Sequence, residues 1–414
     1  MTDPLPARKK ITTRCCVAGG GPAGMMLGYL LARAGIEVVV LEKHKDFFRD
    51  FRGDTIHPST MQLMHELGIL DDFLKVPHDK AQDLMISFEG TAVRGPDFSH
   101  LPVVCKYIAL MPQWDFLNFL AEKAKKFPSF TLMMNAEATG LIEENGRVTG
   151  VRATTPDGEV EIRAPLTFGT DGRHSTLREQ AGLVADEFGV PIDVLWFRLA
   201  KPAVAEGKYF LGRISKGQLM ITLDRGDYFQ SGLIIPKGAF DAIKKEGLPA
   251  FQERIAAIVP ALREPARALD NWDKVKLLTV QINRLRCWHR AGLLCIGDAA
   301  HAMSPAGGVG INLAVQDAVA AANLLCEPIL GGACTEEDLQ RVQERREWPV
   351  KMTQALQVFM HRNMFRKNRD PSRAVAIPWP ARKLFALFAP VLRRVGARIV
   401  GIGFRAEHIE SPEK

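Results

Sequence analysis

The sequence predicts a fold of the α/β class (α+β when an added sheet is counted), and three regions carry this prediction. Residues 14–41 read as strand, helix and strand in succession, which is the βαβ unit of a parallel sheet. Residues 137–163 contain two hairpin-turn signals that indicate a β-meander. Residues 185–280 contain alternating strands that indicate a separate, inserted antiparallel sheet. Long C-terminal helices complete the expected architecture.

The N-terminal βαβ unit is defined by its apolar runs. Residues 14–18 form a short buried strand, and residues 22–34 have the apolar spacing of a helix that stops at Gly35. Residues 37–41 form a second buried strand. In the meander, the turns are Asn145-Gly146 and Asp157-Gly158.

The remaining elements follow from the same patterns. The further helices expected are residues 58–67, 112–126, 238–258, 310–326 and 335–368. The further strands expected are residues 166–169, 193–200, 207–214, 217–224, 227–236 and 293–296.

Composition and charge narrow the function classes. Hydrophobic residues make up 47% and charged residues 24%, as in an ordinary folded protein. The net charge of +7 could favour an anionic cofactor, an acidic substrate or a membrane surface. Because no aromatic residues are interleaved with the basic clusters, we expect no nucleic-acid partner. The sequence shows no secretory signal, no apolar run of about 18 residues and no C-x-x-C pair, so we expect a cytoplasmic protein without a metal site.

A glycine-rich loop, Gly19-Gly20-Gly21-Pro22-Ala23-Gly24, joins the first strand to the first helix. In a Rossmann-like domain Gly19 permits the tight turn, Gly21 lets the backbone approach a pyrophosphate, and Gly24 lets the helix pack closely on the strand. The helix N-terminus then offers free N–H groups to the phosphates. Glu42, at the end of the second strand, can accept hydrogen bonds from ribose hydroxyls and disfavours a 2′-phosphate. The loop alone leaves NAD and FAD open.

Two further glycine-containing boxes follow predicted strands. The first runs from Phe168 through Asp171-Gly172 to Arg178, and the second is Gly297-Asp298-Ala299-Ala300-His301. The positions of interest that follow the second box are Pro305, Gly307, Gly308, Gly310 and Asn312. Small residues let a backbone pass close to a flat ring, and the helix beginning near Gly310 would point its positive end at that ring.

With these three boxes the chain resembles the class A (single-component) FAD-dependent aromatic hydroxylases, whose type member is p-hydroxybenzoate hydroxylase. The resemblance covers residues 14–330 and implies that the bound cofactor is FAD. It implies that Asp171 and Arg178 lie near the FAD pyrophosphate and the route used by NADH or NADPH, and that Asp298 hydrogen-bonds the ribityl chain. It also places Pro305 beside the flavin, with its backbone carbonyl facing the substrate.

Two more positions match this family, and its architecture implies a domain division. Arg52 resembles an arginine that contacts FAD or the nicotinamide, and Gln113 resembles a glutamine that contacts the flavin. The implied segments are residues 1–80, 111–184 and 281–334 for the FAD-binding domain, residues 81–110 and 185–280 for the substrate domain, and residues 335–414 for a C-terminal helical region.

The sequence lacks a second dinucleotide loop, because Gly401-Ile402-Gly403 leaves no room for a following helix and strand. NADH or NADPH is therefore expected to bind transiently. The resemblance implies a monooxygenase in which reduced flavin and O₂ form a C4a-hydroperoxide that hydroxylates an aromatic or electron-rich small molecule. The Trp-x-Trp-x-Ile-Pro signature of flavin halogenases is missing.

Two other functions stay open on the sequence. One is an FAD-dependent reductase or dehydrogenase of the same fold, such as an isoprenoid saturase, which would turn over without oxygen. The other is a flavin-carrying sensor, which would not consume NAD(P)H on addition of a substrate.

The inserted sheet is expected to cover the flavin and to supply the substrate contacts. Trp196 and Arg198 share one strand face, and Tyr228 and Gln230 share a face of a neighbouring strand. Arg198 could pair with an anionic or carbonyl group, and Trp196 could stack on an aromatic ring. We assign no catalytic base.

The C-terminal tail combines basic and apolar residues. Residues 362–405 are strongly basic, and apolar residues recur at helical spacing over residues 380–404. Such a helix either packs on the FAD domain with a charged outer face or lies on an anionic membrane. We favour packing and keep peripheral membrane contact as the alternative. The oligomeric state is not predicted.

Overall fold

The computed structural model describes residues 9–48, 55–202, 212–215, 217–332, 334–364 and 379–414. The helices are α1 Pro22–Arg33, α2 Pro58–Glu66, α3 Leu70–Phe73, α4 Gln113–Ala124, α5 Thr176–Gln180, α6 Phe240–Glu246, α7 Leu248–Ile258, α8 Arg263–Arg267, α9 Gly310–Leu330, α10 Glu336–Met364 and α11 Trp379–Gly401. Short 3₁₀ helices are Pro260–Leu262, Trp272–Lys274, Gly297–Ala299 and Ala306–Gly308.

The strands of the described residues form five sheets and have the following bounds. They are β1 Lys9–Thr12, β2 Cys15–Ala18, β3 Val38–Glu42, β4 Thr55–Ile56, β5 Asp79–Ala81, β6 Asp83–Phe88, β7 Thr91–Asp97, β8 Ile108–Leu110, β9 Phe130–Met134, β10 Glu137–Glu144, β11 Arg147–Thr155, β12 Gly158–Arg163, β13 Leu166–Gly169, β14 Ala185–Phe188, β15 Ile192–Ala200, β16 Gly212–Ser215, β17 Gln218–Asp224, β18 Tyr228–Pro236, β19 Lys276–Leu278, β20 Ile282–Leu285, β21 His289–Arg290 and β22 Leu293–Cys295.

The central sheet has the order β21-β22-β13-β2-β3-β9, and its neighbours are parallel except for the β21–β22 pair. Strands β2, β3, β13 and β22 are buried at every position because both faces of the sheet are covered there, which is typical of parallel sheets. The carboxyl ends of β2, β13 and β22 lie side by side, so the loops that follow these strands meet at one edge. This confirms the predicted βαβ unit and gathers the three boxes together.

The predicted meander is confirmed as β10, β11 and β12, which pair antiparallel in sequence, with β1 added parallel to β12. At the first turn Asn145 and Gly146 have φ values of 50° and 75°. These left-handed values are those of a type I′ hairpin turn, which is why the Asn-Gly pair was a reliable signal.

The inserted sheet has seven strands in the order β19-β15-β18-β17-β16-β6-β7. One face packs on α6, α7 and α8 through residues such as Phe197 and Phe251, whose rings make an edge contact with centroids 5.4 Å apart. The helical residues expected over 238–258 are confirmed as two helices, because Gly247, with φ 92°, separates α6 from α7. The β6–β7 hairpin was not predicted, because the exposed edge strand β7 lacks clear alternation. Most of the expected strand 207–214 lies outside the described residues.

Helix α10 packs against α9 and β21 on the side of the parallel sheet, whereas α11 packs against the inserted sheet. Residues 306–330 are long and apolar enough to span a membrane, but 83% of the most apolar window is buried inside the protein. This apolar character therefore belongs to the core. Helix α11 lies along β7, where Arg393 Nε donates to the carbonyl of Gly95 at 2.9 Å and Ala397 is fully buried.

Candidate active site

The glycine loop has the local geometry that a bound pyrophosphate requires. A Cβ atom on Gly19 would lie 2.3 Å from the carbonyl oxygen of Thr170, and one on Gly24 would lie 1.9 Å from the carbonyl oxygen of Gly19. A Cβ atom on Gly21 would meet nothing within 4 Å. The protein's own backbone therefore explains the first and third glycines. The second faces open space at the N-terminus of α1, where phosphates bind favourably.

Glu42 lies beside this loop at the end of β3. Its Oε2 accepts the N–H of Gly20 at 3.2 Å, and its Oε1 accepts the N–H of His44 at 3.1 Å. The carboxylate is buried, and a Cβ atom on Gly20 would collide with it. Glu42 thus fixes the loop through two backbone N–H groups.

The Asp171 box follows β13 and contacts the loop directly. Thr170 Oγ1 donates to the carbonyl of Ala18 at 2.9 Å. The Asp171 carboxylate accepts the N–H of Leu177 at 3.2 Å, and burial raises the pKa of Asp171. Ser175 accepts the N–H of Arg178 at 3.0 Å as the N-cap of α5. Asp171 is therefore near the loop through its backbone, while its side chain caps the short helix α5.

Arg178 joins the Asp171 box to the Asp298 box. Its Nη1 donates to the carbonyl of Ala299 at 3.1 Å and its Nη2 to the carbonyl of Arg173 at 2.7 Å. Arg173, which the sequence reasoning missed, donates through Nε to Asp298 Oδ2 at 3.1 Å. The Asp298 side chain is about one third exposed. Because these arginines fix both boxes, Asp298 is held at the open edge of the sheet, as its expected contact with a ribityl chain requires.

The loop after the second box is shaped by Gly307 and Gly308, whose φ values are 82° and 64°. A Cβ atom on Gly308 would lie 2.4 Å from Thr55 Oγ1. The carbonyl of Pro305 accepts the N–H of Gly308 at 3.0 Å, so it is engaged within this turn. The oxygen has a second lone pair, and the expectation that it faces a substrate stays a prediction.

Helix α10 supports that loop from outside. Gln357 accepts the N–H of Ser304 at 3.1 Å and donates to the carbonyls of Ser304 and Ala306, both at 3.0 Å. His361 contacts Ser304 Oγ at 2.8 Å. All of these groups are buried or nearly so, which makes the loop a rigid surface.

The other residues predicted to contact the cofactor lie in different surroundings. Asn312 Oδ1 accepts hydrogen bonds from Ser59 at 2.7 Å and Thr60 at 2.8 Å, so this side chain joins α9 to α2. Gly310 begins α9 beside open space, and Gln113 is a partly exposed first residue of α4. Arg52 lies outside the described residues.

Four charged or ionisable side chains, which we call the Asp317 network, lie behind the second box: His301, Asp317, Arg346 and Glu407. Asp317 Oδ2 accepts the N–H of Gly297 at 3.1 Å and contacts His301 Nε2 at 2.5 Å. Arg346 donates to Asp317 Oδ1 at 2.9 Å and to Glu407 Oε1 at 3.0 Å. Since Asp317 and Arg346 are fully buried, this network belongs to the interior. His301 is therefore a buried hydrogen-bonding group and not an exposed base.

The predicted substrate residues share one face of the inserted sheet. Trp196 pairs with Gly232 across the strands, Arg198 pairs with Gln230, and the Arg198 guanidinium lies 5.0 Å from the centroid of Tyr228. Trp196 is buried in an apolar cluster, where a Cβ atom on Gly232 would lie 3.0 Å from its ring. Trp196 is thus a packing residue, and the exposed Arg198 and the partly exposed Tyr228 are better placed to meet a ligand.

The groups along the edge where the three boxes meet fit FAD. The groups expected to contact FAD lie along one edge of the parallel sheet. They are the open position at Gly21, the carboxylates of Glu42 and Asp298, and the N-terminus of α9. Among the described residues, no group of three or more histidine, cysteine, aspartate or glutamate side chains is placed to hold a metal ion.

Comparison with known proteins gives one family. The family profile described as "FAD binding domain" matches residues 12–355. The 6-methylpretetramide 4-monooxygenase of Streptomyces rimosus is 33% identical over 398 residues, which are 96% of this chain and 94% of that protein. The crystal structure of p-nitrophenol 4-monooxygenase PnpA from Pseudomonas putida DLL-E4 superposes with a TM-score of 0.77 at 21% identity, covering 96% of this chain and 100% of that one.

The same fold also occurs in a flavin-dependent brominase, Bmp2, with a TM-score of 0.73 at 15% identity over 94% of this chain and 93% of that one. The fold alone therefore does not separate hydroxylation from halogenation. The halogenase signature is absent from this sequence, and the relative that matches over nearly its whole length is a monooxygenase.

Proposed function

Because the chain belongs to the FAD-binding-domain family of class A flavoprotein aromatic monooxygenases, we propose that its substrate is a polycyclic aromatic phenol. The chain is an FAD-dependent monooxygenase that hydroxylates an aromatic or electron-rich small molecule with O₂, and NADH or NADPH is the reductant typical of the family. The polycyclic class is supported by the relative named for 6-methylpretetramide, which matches over 96% of this chain. The relative named for para-nitrophenol is 25% identical over 77% of the chain.

We propose that FAD binds along the edge where the three boxes meet, and FAD supplies the redox chemistry that activates O₂. Gly21 and the N-terminus of α1 would hold the pyrophosphate, and Glu42 a ribose. Asp298 would bind the ribityl chain, held by Arg173. The free N–H groups at the start of α9 would stabilise negative charge on the flavin ring. Arg52 and Gln113 stay proposed contacts from the family resemblance.

The substrate class is tested with ¹⁸O₂. The holoenzyme is supplied with NADH or NADPH, ¹⁸O₂ and either a tetracyclic phenol or p-nitrophenol. We expect the tetracyclic phenol to stimulate NAD(P)H oxidation and to yield a product that carries one ¹⁸O atom, while the second atom leaves as water. Labelled product from p-nitrophenol alone would overturn the polycyclic class, and turnover without label would overturn hydroxylation itself.

We propose a division into an FAD-binding domain (residues 1–80, 111–184 and 281–334), a substrate domain (residues 81–110 and 185–280) and a C-terminal region (residues 335–414). In its support, β6 and β7 join the strands of residues 192–236 in one sheet. We also propose a cytoplasmic location.

Peripheral membrane contact through α11 is a secondary proposal. It is supported by four exposed apolar side chains, Phe388, Val391, Leu392 and Val395, at spacings of three and four residues on one helix face. If this face meets anionic lipid, the double change Phe388→Ser with Leu392→Ser should abolish cosedimentation with phosphatidylserine liposomes. The control Val184→Ser changes an exposed apolar residue elsewhere and should leave cosedimentation unchanged. Equal cosedimentation of all three proteins would contradict the proposal.

A further inference from the structure

A cavity of about 880 Å³ lies between α10 and the ribbon formed by β14 and β20. Its size is within the range of pockets that hold small organic ligands. The side chains that line it include three cations, Arg284, Lys351 and Arg362, two aromatic rings, Phe188 and Phe359, and the amide of Gln354. None of the described residues that line it is acidic. The cavity is therefore both apolar and positively charged.

Arg284 is the central cation of this cavity. It is half-buried, its guanidinium lies 5.0 Å from the centroid of Phe188, and its Nη1 donates to Gln354 Oε1 at 2.8 Å. Among the described residues no carboxylate lies within 4.0 Å of it. Glu347 and Asp186 act on the Arg284 charge from a longer distance, and each makes its direct ion pair with another residue, Glu347 with Lys351 and Asp186 with Arg286. Arg284 is therefore partly desolvated and makes no direct ion pair among the described residues, whereas buried charges usually do.

The cavity wall also contacts the loop that is proposed to face the flavin. Gln354, which Arg284 holds, donates through Nε2 to the carbonyl of Asn283 at 2.7 Å and to that of Ala302 at 3.1 Å. Asn283 Oδ1 in turn accepts the N–H of Ala302 at 3.1 Å. Arg284 is thus two hydrogen bonds from Ala302, the residue that follows the second box, and a ligand that pairs with Arg284 would add one more.

We propose that this cavity is a binding site for a planar aromatic anion, whose carboxylate or phenolate pairs with Arg284 while its ring packs on Phe188. Arg284 provides the planar fork of N–H groups that matches a carboxylate, and its stacking on Phe188 holds that fork in place. Phe359, which is 65% exposed, supplies a second apolar surface at the rim. Arg198 and Tyr228 are not among the described residues that line the cavity, although Phe188 packs against the same apolar cluster as Trp196, and the proposal does not depend on the hydroxylation reaction.

The test is direct binding to the FAD-loaded protein with two probes of equal shape, 2-naphthoate and the neutral 2-naphthylmethanol. By titration calorimetry we expect the wild-type protein to bind the acid at least about tenfold more tightly, since a charged hydrogen bond contributes about 1.5–3 kcal/mol. Arg284→Gln should remove this preference, and Arg284→Lys should keep part of it. Arg362→Gln, at the exposed rim, should weaken acid binding less than Arg284→Gln does.

The matched control is Arg263→Gln, which removes an arginine paired with Glu253 on a different part of the surface. It should leave both affinities unchanged. Equal binding of acid and alcohol by the wild-type protein, or an acid preference that survives in Arg284→Gln, would overturn the proposed site. Either result would leave the FAD content and the ¹⁸O assay intact, so the failure of this proposal is distinguishable from failure of the proposed function.

Discussion

Replacing Gly21 with alanine is expected to weaken FAD binding by about 10- to 100-fold while leaving the apoprotein folded, since an extra methyl group in a space that is already filled costs about 1–3 kcal/mol. Gly21 has φ −73°, a value that alanine adopts without strain, and its added Cβ would meet no protein atom within 4 Å. The only group expected in that space is the pyrophosphate. FAD affinity is measured by titrating apoprotein and following flavin fluorescence, and folding is checked by thermal unfolding.

Gly189→Ala is the matched control for this change. Its Cβ would also lie in open space, its φ is not positive, and it is distant in sequence from the three boxes. FAD affinity should be that of the wild-type protein. Gly24→Ala provides the opposite comparison, because its Cβ would lie 1.9 Å from a backbone oxygen and should disturb the loop itself. If Gly21→Ala binds FAD as tightly as the wild-type protein, the pyrophosphate does not lie on this loop.

The parts of the site that the sequence predicted are those determined by backbone geometry. Gly19, Gly24 and the turn at Asn145-Gly146 require conformations or clearances that few residues allow, so their identity alone indicates the structure. The buried strands of the central sheet were equally clear, because a parallel sheet covered on both faces needs uninterrupted apolar runs. These local rules placed the three boxes at one edge of the sheet.

The directions of polar side chains could not be predicted in this way. Asp171, Asn312 and the carbonyl of Pro305 lie where the boxes are, but their hydrogen bonds go to α5, to α2 and to the loop's own turn. Such partners depend on tertiary contacts between segments far apart in sequence. Arg173 was missed for the same reason, since its partner Asp298 is 125 residues away. A glycine requirement is local, whereas a hydrogen-bond partner is not.

The Asp317 network also joins residues far apart in sequence, so it could not be predicted either. Replacing Asp317 is the second change for which we expect a large effect. Asp317→Asn should lower the free energy of unfolding by about 3–5 kcal/mol, the cost of breaking a buried ion pair. Asp317 accepts hydrogen bonds from the N–H of Gly297, from His301 and from Arg346. An asparagine offers a single acceptor oxygen, and its NH₂ group would face at least one of these donors. Urea unfolding at pH 7 measures the loss, and FAD titration should show weaker binding because Gly297 begins the second box.

The pH dependence separates loss of this charge from a simple packing defect. Burial alone would raise the pKa of Asp317, but His301 and Arg346 outweigh it and the pKa is lowered. A lowered pKa contributes stability that is present above the unfolded value of about 3.9 and is lost as pH falls through the folded value. The difference between the wild-type protein and Asp317→Asn should therefore be full at pH 7 and shrink below about pH 4. Glu264→Gln, at an exposed pair with Arg267, should change neither stability nor FAD affinity. A difference that stays constant down to pH 3 would mean that the Asp317 charge contributes nothing and that packing accounts for the whole effect.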